Sequence, residues 1–171
     1  DNYDNFTLKK LKEECDFYEV HELSDILKSN LEIVRFVRLE MSSKSTTSKC
    51  LNSLPEINRF EQSRYSGITT DKGNSYIILE FDRDCYVKKI MLSTFNKFTT
   101  YPSTYGVGSK IFLSADMIKW KQINTISHEA CKEIINIEVN DTFDEKVRYI
   151  KFTNDSPIGI GCIRIIERFI V

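Results

Sequence analysis

Short stretches of alternating apolar and polar residues recur through the C-terminal part of this sequence. The first reads YIILEF at 76–81, and similar stretches follow at 87–94, 110–114 and 147–154. A period of two is typical of strands that bury one face, whereas helices repeat every 3.6 residues or so. Polar turns at intervals of roughly 8–12 residues predict a β-sandwich or barrel. The other predicted strands are 120–123, 133–140 and 161–171, and the predicted turn after the first strand is DRD at 82–84.

The N-terminal segment has a different pattern, which predicts helix over residues 5–29. Its apolar residues recur at helical spacing and form one stripe, while lysines and glutamates fill the other face. A second short helix fits HELSDILKS at 21–29. The stripe of the first helix consists of Leu8, Leu11, Cys15 and Tyr18.

A polar, low-complexity stretch, SSKSTTSK at 42–49, is typical of a loop or linker. We therefore divide the chain into a helical N-terminal extension, residues 1–40, and a β-sandwich domain, residues 41–171. The predicted fold class is all-β with a short helical extension.

Charge and hydropathy argue against two classes of partner. The 171 residues carry a net charge of -1, of which residues 1–32 contribute -5 and the remainder +4. A mild excess of that kind is far from the clustered basic face of a nucleic-acid-binding protein. A bilayer span needs about 20 consecutive apolar residues, and the sequence has no such run. We therefore expect no nucleic-acid partner and no membrane span.

The five cysteines are widely spaced, and no two form a CxxC pair. That spacing does not suit a zinc site, and scattered thiols are typical of a reducing compartment. The start of the sequence lacks the charged-then-apolar pattern of a signal peptide. These features predict a cytoplasmic protein without a metal or other cofactor. The two histidines, His21 and His128, are expected to face solvent.

Enzyme motifs are absent from the sequence. GVG at 106–108 and GIG at 159–161 are too short for a dinucleotide-binding loop, and strands rather than helices follow them. No P-loop, HExxH or GxSxG occurs. DTFDE at 141–145 offers clustered oxygens for calcium but lacks the spacing of a known calcium loop. We therefore expect a protein that is not an enzyme.

The order of three elements resembles the discoidin, or coagulation factor 5/8 type C, domain of the galactose-binding-like superfamily. The resemblance covers about residues 64–168. It implies a jelly-roll β-sandwich that binds its ligand through loops at one end. The matching residues are Leu79, Phe81, Val87, Ile90 and Leu92 in the first element, Ser114, Asp116 and Trp120 in the second, and Arg148, Tyr149 and Ile150 in the third.

The second element also explains the position of Trp120, the sole tryptophan. A turn with Asp116 at its bend is stabilised by side-chain hydrogen bonds to its own backbone. A tryptophan that follows such a turn can lie across the edge of the sandwich while its N–H finds a partner. We therefore interpret Trp120 as structural rather than as a ligand-stacking residue.

The N-terminal segment shows a shorter resemblance to the terminal helices of BTB-type oligomerisation domains. It implies a homo-oligomer assembled through the N-terminal helices. The matching residues are Leu11, Glu14, Cys15, Phe17, Tyr18, Val20 and Leu23.

Three loops are the candidate binding surface that the discoidin resemblance implies: 50–75, 95–108 and 153–161. The middle loop is rich in aromatic residues, which can stack on a sugar or anchor a protein. The first hypothesis is a non-catalytic module that recognises a protein partner through these loops, and the alternative is a carbohydrate-binding, lectin-like module. The candidate ligand-binding residues are Arg64, Tyr65, Lys97, Phe98, Tyr101, Tyr105 and Asn154.

Overall fold

The computed structural model describes residues 9–14, 33–43, 68–70, 73–94, 106–127, 134–140 and 143–168. Within these ranges the chain forms one short helix, residues 9–14, and ten strands. The strands are Ile33–Val34 (β1), Phe36–Met41 (β2), Ile68–Thr69 (β3), Ser75–Cys85 (β4), Val87–Thr94 (β5), Lys110–Ser114 (β6), Lys121–Thr125 (β7), Ile135–Glu138 (β8), Val147–Asn154 (β9) and Gly159–Glu167 (β10).

The strands form two antiparallel sheets. Sheet A has the order β1-β10-β5-β8, and β3 also pairs with β10. Sheet B has the order β2-β4-β9-β6-β7, so that β9 lies at its centre. The predicted all-β sandwich is confirmed by this arrangement.

Alternation along the central strands creates the core. On β4, Ile77, Leu79 and Phe81 are fully buried, while the residues between them are partly exposed. The Phe36 ring of β2 packs on the Phe81 ring with centroids 5.8 Å apart. Each buried side chain of this size contributes about 1.5–3 kcal/mol, so the pattern alone strongly favours one register.

The opposite side of sheet B is defined by the same alternation. We call it the outer face of sheet B, and it is formed by side chains that point away from sheet A. The outer face of sheet B includes Tyr76, Ile78 and Glu80 on β4, Thr153, Lys151 and Tyr149 on β9, and Lys110 and Phe112 on β6.

The predicted turn at 82–84 is wrong, because β4 continues through these residues to Cys85. The Asp82 N–H donates to the Arg35 carbonyl at 2.8 Å, so backbone pairing extends past Phe81. Arg83 forms ion pairs with Asp82 at 3.3 Å and with Glu167 at 2.9 Å. Those pairs compensate the charges that suggested a turn, and the chain crosses between the sheets only after Cys85.

The last residues of the predicted N-terminal extension, 33–40, contribute strands to both sheets. Ile33–Val34 pairs with β10 and Phe36–Met41 pairs with β4, so the sandwich already includes residue 33. The sequence FVRLEM lacks a clean alternation because the pairing of β2 with β4 shifts register between Phe36 and Arg38, and Val37 at this shift is 51% exposed.

The N-terminal extension is described only over residues 9–14, which are helical as predicted. Leu11 is the single described residue of the predicted apolar stripe, and it is 37% exposed. The rest of the predicted helices, including the BTB-like residues after 14, lies outside the described residues. Within the described ranges, no helix is long and apolar enough to cross a bilayer.

Candidate functional site

The described ends of the three predicted loops meet at one end of the sandwich. Backbone pairing places the end of β5 beside the start of β10, through Thr94 and Ile160. It also places Ser75, at the start of β4, beside Asn154, at the end of β9. The start of β6 joins the same group, because Lys110 pairs with Thr153.

A buried hydroxyl connects two of these loops. Thr70 is 1% exposed, and its hydroxyl donates to the Ser75 hydroxyl at 2.8 Å. The same oxygen accepts the Ile158 N–H at 2.8 Å, and the Thr70 N–H donates to the Ile158 carbonyl at 3.0 Å. Buried polar groups of this kind are costly unless they are paired, so these bonds fix the loop before β4 against the loop after β9.

The side chain of Asn154 connects the third loop. Its amide nitrogen donates to the Val107 carbonyl at 2.8 Å and to the Ser109 hydroxyl at 3.0 Å. Its amide oxygen accepts the Ser156 N–H at 3.1 Å. Both amide hydrogens are therefore occupied within the chain, which makes Asn154 an organiser of this end of the sandwich.

Glycines allow the close approach of the backbone here. A Cβ atom on Gly73 would lie 2.5 Å from the Asp155 carbonyl oxygen, a distance that forces a shift of the backbone. Gly106 and Gly108 adopt φ values of 106° and 79°, which side-chain-bearing residues rarely do. The Gly108 N–H donates to the Ile126 carbonyl at 2.8 Å, so this turn is held against the chain after β7.

These contacts surround an open cleft of about 270 Å³ at the loop end of the outer face of sheet B. The Tyr76 hydroxyl donates to the Glu40 carboxylate at 3.3 Å, which holds that ring in place. Thr153 lies on the central strand between Tyr76 and Lys110, as the register requires. The lining residues are Asn74, Ser75, Tyr76, Gly108, Lys110, Thr153, Asn154 and Asp155.

The cleft offers neutral and charged hydrogen-bonding groups beside one aromatic ring. Asn74 and Thr153 can donate and accept, the Lys110 ammonium can only donate, and the Asp155 carboxylate can only accept. Asn74 adopts a φ of 52°, a left-handed conformation that asparagine tolerates better than most residues. The arrangement can bind a polar ligand that has one apolar face.

The turn after β6 lies at the opposite end of that strand and confirms part of the Trp120 interpretation. The Asp116 carboxylate accepts the Ile118 N–H at 2.8 Å and the Lys119 N–H at 2.9 Å. The Lys119 and Ile118 N–H groups, together with the Ser114 hydroxyl, lower the pKa of Asp116 below its usual range. The turn is therefore maintained by the charged form of Asp116.

Trp120 itself is half-buried rather than part of the core. Its Nε1–H donates to the Met117 carbonyl at 2.9 Å, as a structural role requires. The Lys151 ammonium lies 4.0 Å from the centroid of the Trp120 ring and 5.3 Å from that of Phe112. Burial lowers the pKa of Lys151.

The metal-ligating side chains of the described residues are dispersed rather than gathered at the cleft. Among the described residues, no cluster of three or more His, Cys, Asp or Glu side chains could hold a metal ion. In the predicted calcium candidate, Asp144 pairs with Arg168 and Glu145 with Lys121. Burial is the main cause that raises the pKa of Cys85 to about 12, which keeps that thiol protonated and unreactive.

Asn154 is the one predicted ligand-binding residue that the structure describes, and it lines the cleft. A role of Asn154 in ligand binding stays a prediction, because its amide nitrogen already donates hydrogen bonds to Val107 and Ser109 within the chain. The other six lie outside the described residues: Arg64, Tyr65, Lys97, Phe98, Tyr101 and Tyr105.

Three cleft residues were not predicted from the sequence, because they lie on strands rather than in loops: Tyr76, Lys110 and Thr153. A signal was present, because each occupies an outward position at the end of an alternating stretch. Their meeting in one row depends on the strand order, which the sequence does not state.

The chain matches no protein-family model and no curated protein. It does resemble solved structures of one fold. The CBM32 of AlyQ in complex with 4,5-unsaturated mannuronic acid matches with a TM-score of 0.59 and 13% identity, over 80% of this chain and 98% of that one. The lectin domain of lectinolysin complexed with Lewis B antigen matches with a TM-score of 0.61 and 11% identity, over 79% and 95% of the two chains.

A third similar structure is CBM32-3 from a family 31 glycoside hydrolase of Clostridium perfringens. Its TM-score is 0.55 at 14% identity, over 79% of this chain and 91% of that one. These likenesses confirm the predicted discoidin-like β-sandwich fold. Identities this low carry the fold and not the ligand.

Proposed function

We propose that this chain is a non-catalytic carbohydrate-binding module whose sugar occupies the cleft at the loop end of sheet B. The observation that carries the proposal is the cleft itself, where the Tyr76 ring stands beside Asn74, Lys110, Thr153 and Asp155. The similar structures support it, because they are carbohydrate-binding modules and a lectin domain.

The chemistry of the cleft fits a sugar unit. A sugar ring has an apolar face, which can pack against the Tyr76 ring, and hydroxyl groups at its edge, which need donors and acceptors. Thr153 on the floor and Asn74 at the rim supply both. The internal bonds of Thr70 and Asn154 hold these elements before the ligand arrives, which reduces the entropy cost of binding.

The loops 50–75 and 95–108 are proposed to complete the binding site. Their described ends line the cleft, and this supports the proposal that these loops contribute contacts to the same ligand. The proposed loop contacts are Arg64, Tyr65, Lys97, Phe98, Tyr101 and Tyr105.

Recognition of a protein partner through the same loops, inside the cytoplasm, was the first hypothesis from the sequence. The similar structures favour the carbohydrate alternative, and no contact among the described residues favours the protein. The protein partner therefore becomes the competing outcome of the binding experiment.

The experiment is a glycan array with the purified chain, followed by calorimetry with the sugars that bind. Tyr76→Ala is expected to weaken binding at least about tenfold, because truncation of an aromatic residue that dominates a binding site costs about 2 kcal/mol or more. Tyr76→Phe keeps the ring and should retain most of the affinity. Lys88→Ala is the matched control, since Lys88 is an exposed residue of sheet A.

Absence of binding to every glycan on the array, with an intact fold, would refute the proposed function. Binding that Tyr76→Ala leaves unchanged would place the site elsewhere on the chain.

A further inference from the structure

Two lysines stand side by side on the outer face of sheet B. Lys110 pairs with Thr153, and Phe112 pairs with Lys151, so Lys110 and Lys151 are diagonal neighbours on adjacent strands. Diagonal neighbours in an antiparallel sheet lie roughly 7–8 Å apart. Lys110 lines the cleft, and Lys151 lies on the same face next to it, towards Trp120.

Neither ammonium group has a carboxylate partner among the described residues. The carboxylates that share this face are engaged elsewhere: Glu40 with Arg38 at 3.1 Å, and Glu80 with Arg148 at 3.3 Å. Asp116 accepts hydrogen bonds within its own turn. Asp155, at the rim of the cleft, makes no ion pair with a described residue. It directly follows β9, the strand that carries Lys151.

Lys151 is held in place by aromatic rings instead of by an anion. Its ammonium lies 4.0 Å from the centroid of the Trp120 ring and occupies one face of that ring. Trp120 is in turn fixed by its bond to the Met117 carbonyl. Cation–π contacts orient an ammonium group but leave its donors open towards solvent. Burial disfavours the charged form of Lys151, and an incoming anion would offset that cost.

We propose that the ligand is an acidic glycan, which extends from the cleft along the outer face of sheet B and places carboxylates of its sugar units at Lys110 and Lys151. This inference rests on the proposed function and names the substrate class of that site. Trp120 and Phe112 act as positioning residues for Lys151, and Tyr76 packs on the unit in the cleft. The carboxylate of Asp155 opposes the same ligand, which makes it a residue that limits affinity.

The test compares a galacturonic acid oligomer with its fully methyl-esterified form, which has the same sugar units without the charges. Calorimetry should show tighter binding of the acid, and the difference should shrink as salt is added, because exposed charge pairs are screened. Lys110→Gln and Lys151→Gln should each weaken binding of the acid at least about threefold, within the range for exposed pairs, and weaken binding of the ester less than that. Lys88→Gln is the matched control on the opposite sheet.

Asp155→Asn should change the affinity for the acid in the opposite direction to the lysine variants. It should strengthen binding of the acid, because a repelling charge is removed. If the ligand is a neutral sugar whose hydroxyls bond to Asp155, the same change should weaken binding instead. In addition, the pKa of Lys151 should rise when the acid binds, and reductive ¹³C-methylation with NMR can follow it.

The outcomes separate the two proposals. Equal binding of acid and ester, or lysine variants that behave like Lys88→Gln, would overturn the acidic ligand while leaving a carbohydrate module in place. Binding of neutral glycans alone on the array would have the same meaning. Binding of no glycan at all would overturn the proposed function itself.

Discussion

Replacement of Trp120 by alanine tests how much the turn after β6 depends on one half-buried ring. Emptying a fully buried aromatic site costs about 3–5 kcal/mol, so a half-buried ring should cost roughly 2 kcal/mol. The Nε1–H bond to the Met117 carbonyl adds about 1 kcal/mol. Trp120→Ala should therefore lower the free energy of unfolding by roughly 3 kcal/mol, at the lower end of the 3–5 kcal/mol or so that a core position would imply.

The assay is thermal unfolding followed by circular dichroism. For a domain of 150–250 residues or so, 1 kcal/mol shifts the Tm by about 2–4 °C, so Trp120→Ala should lower it by about 6–12 °C. Trp120→Phe keeps most of the ring and loses the N–H, and it should lower the Tm by only about 2–4 °C. Lys119→Ala, an exposed neighbour in the same turn, should change it very little.

Two results would refute this reasoning. An unchanged Tm in Trp120→Ala would show that the ring does not stabilise the turn. A loss in Trp120→Phe as large as in Trp120→Ala would assign the effect to the N–H bond and not to packing.

Four further predictions concern Gly73, Cys85 and the N-terminal extension. Gly73→Ala should lower the Tm and weaken glycan binding together, because its Cβ would lie 2.5 Å from the Asp155 carbonyl oxygen; unchanged binding in calorimetry would contradict that reading. Cys85 should resist alkylation by iodoacetamide in the folded protein and react once the protein is unfolded, since burial raises its pKa from 9.0 to about 12; rapid labelling of the native protein at pH 8 or so would contradict it. The stability that the protonated Cys85 thiol contributes is complete below pH 9.0 and should fall as the pH rises towards about 12, which denaturant titrations at increasing pH can measure. Deletion of residues 1–32, which leaves β1 intact, should lower the Tm or abolish self-association in analytical ultracentrifugation, and if neither changes, the extension is a passive linker.

The sequence predicted the central strands well, because their alternation was regular. Strands β5, β6 and β9 have the predicted bounds, since one face of each is buried and a slip of one residue would expose the whole apolar set. The strand at the edge of sheet B and the charged end of β4 were not predicted from the sequence. β2 lies at the edge of sheet B and its register with β4 shifts at Val37, so its residues show no clean period. The charged residues inside β4 resembled a turn, because the ion pair between Arg83 and Glu167, which lies far along the chain, is not visible in the sequence.

The sequence predicted the end of the sandwich at which the candidate site lies, but not the residues that line it. The discoidin resemblance correctly indicated that the ends of the three loops meet. It could not indicate Tyr76 or Lys110, because their proximity depends on β9 lying between β4 and β6. The role of Asn154 in holding the loops together could not be predicted either, since its partners Val107 and Ser109 lie in a segment more than forty residues away.

Calorimetric titration of the purified chain with a carbohydrate identified on a glycan array, for the wild type and Tyr76→Ala, tests the central claim most directly. The account predicts saturable binding by the wild type and at least about a tenfold loss in the variant, with Tyr76→Phe and Lys88→Ala close to wild type. Wild-type protein that binds no glycan, or a folded Tyr76→Ala variant that binds as tightly as the wild type, would contradict a carbohydrate site in this cleft.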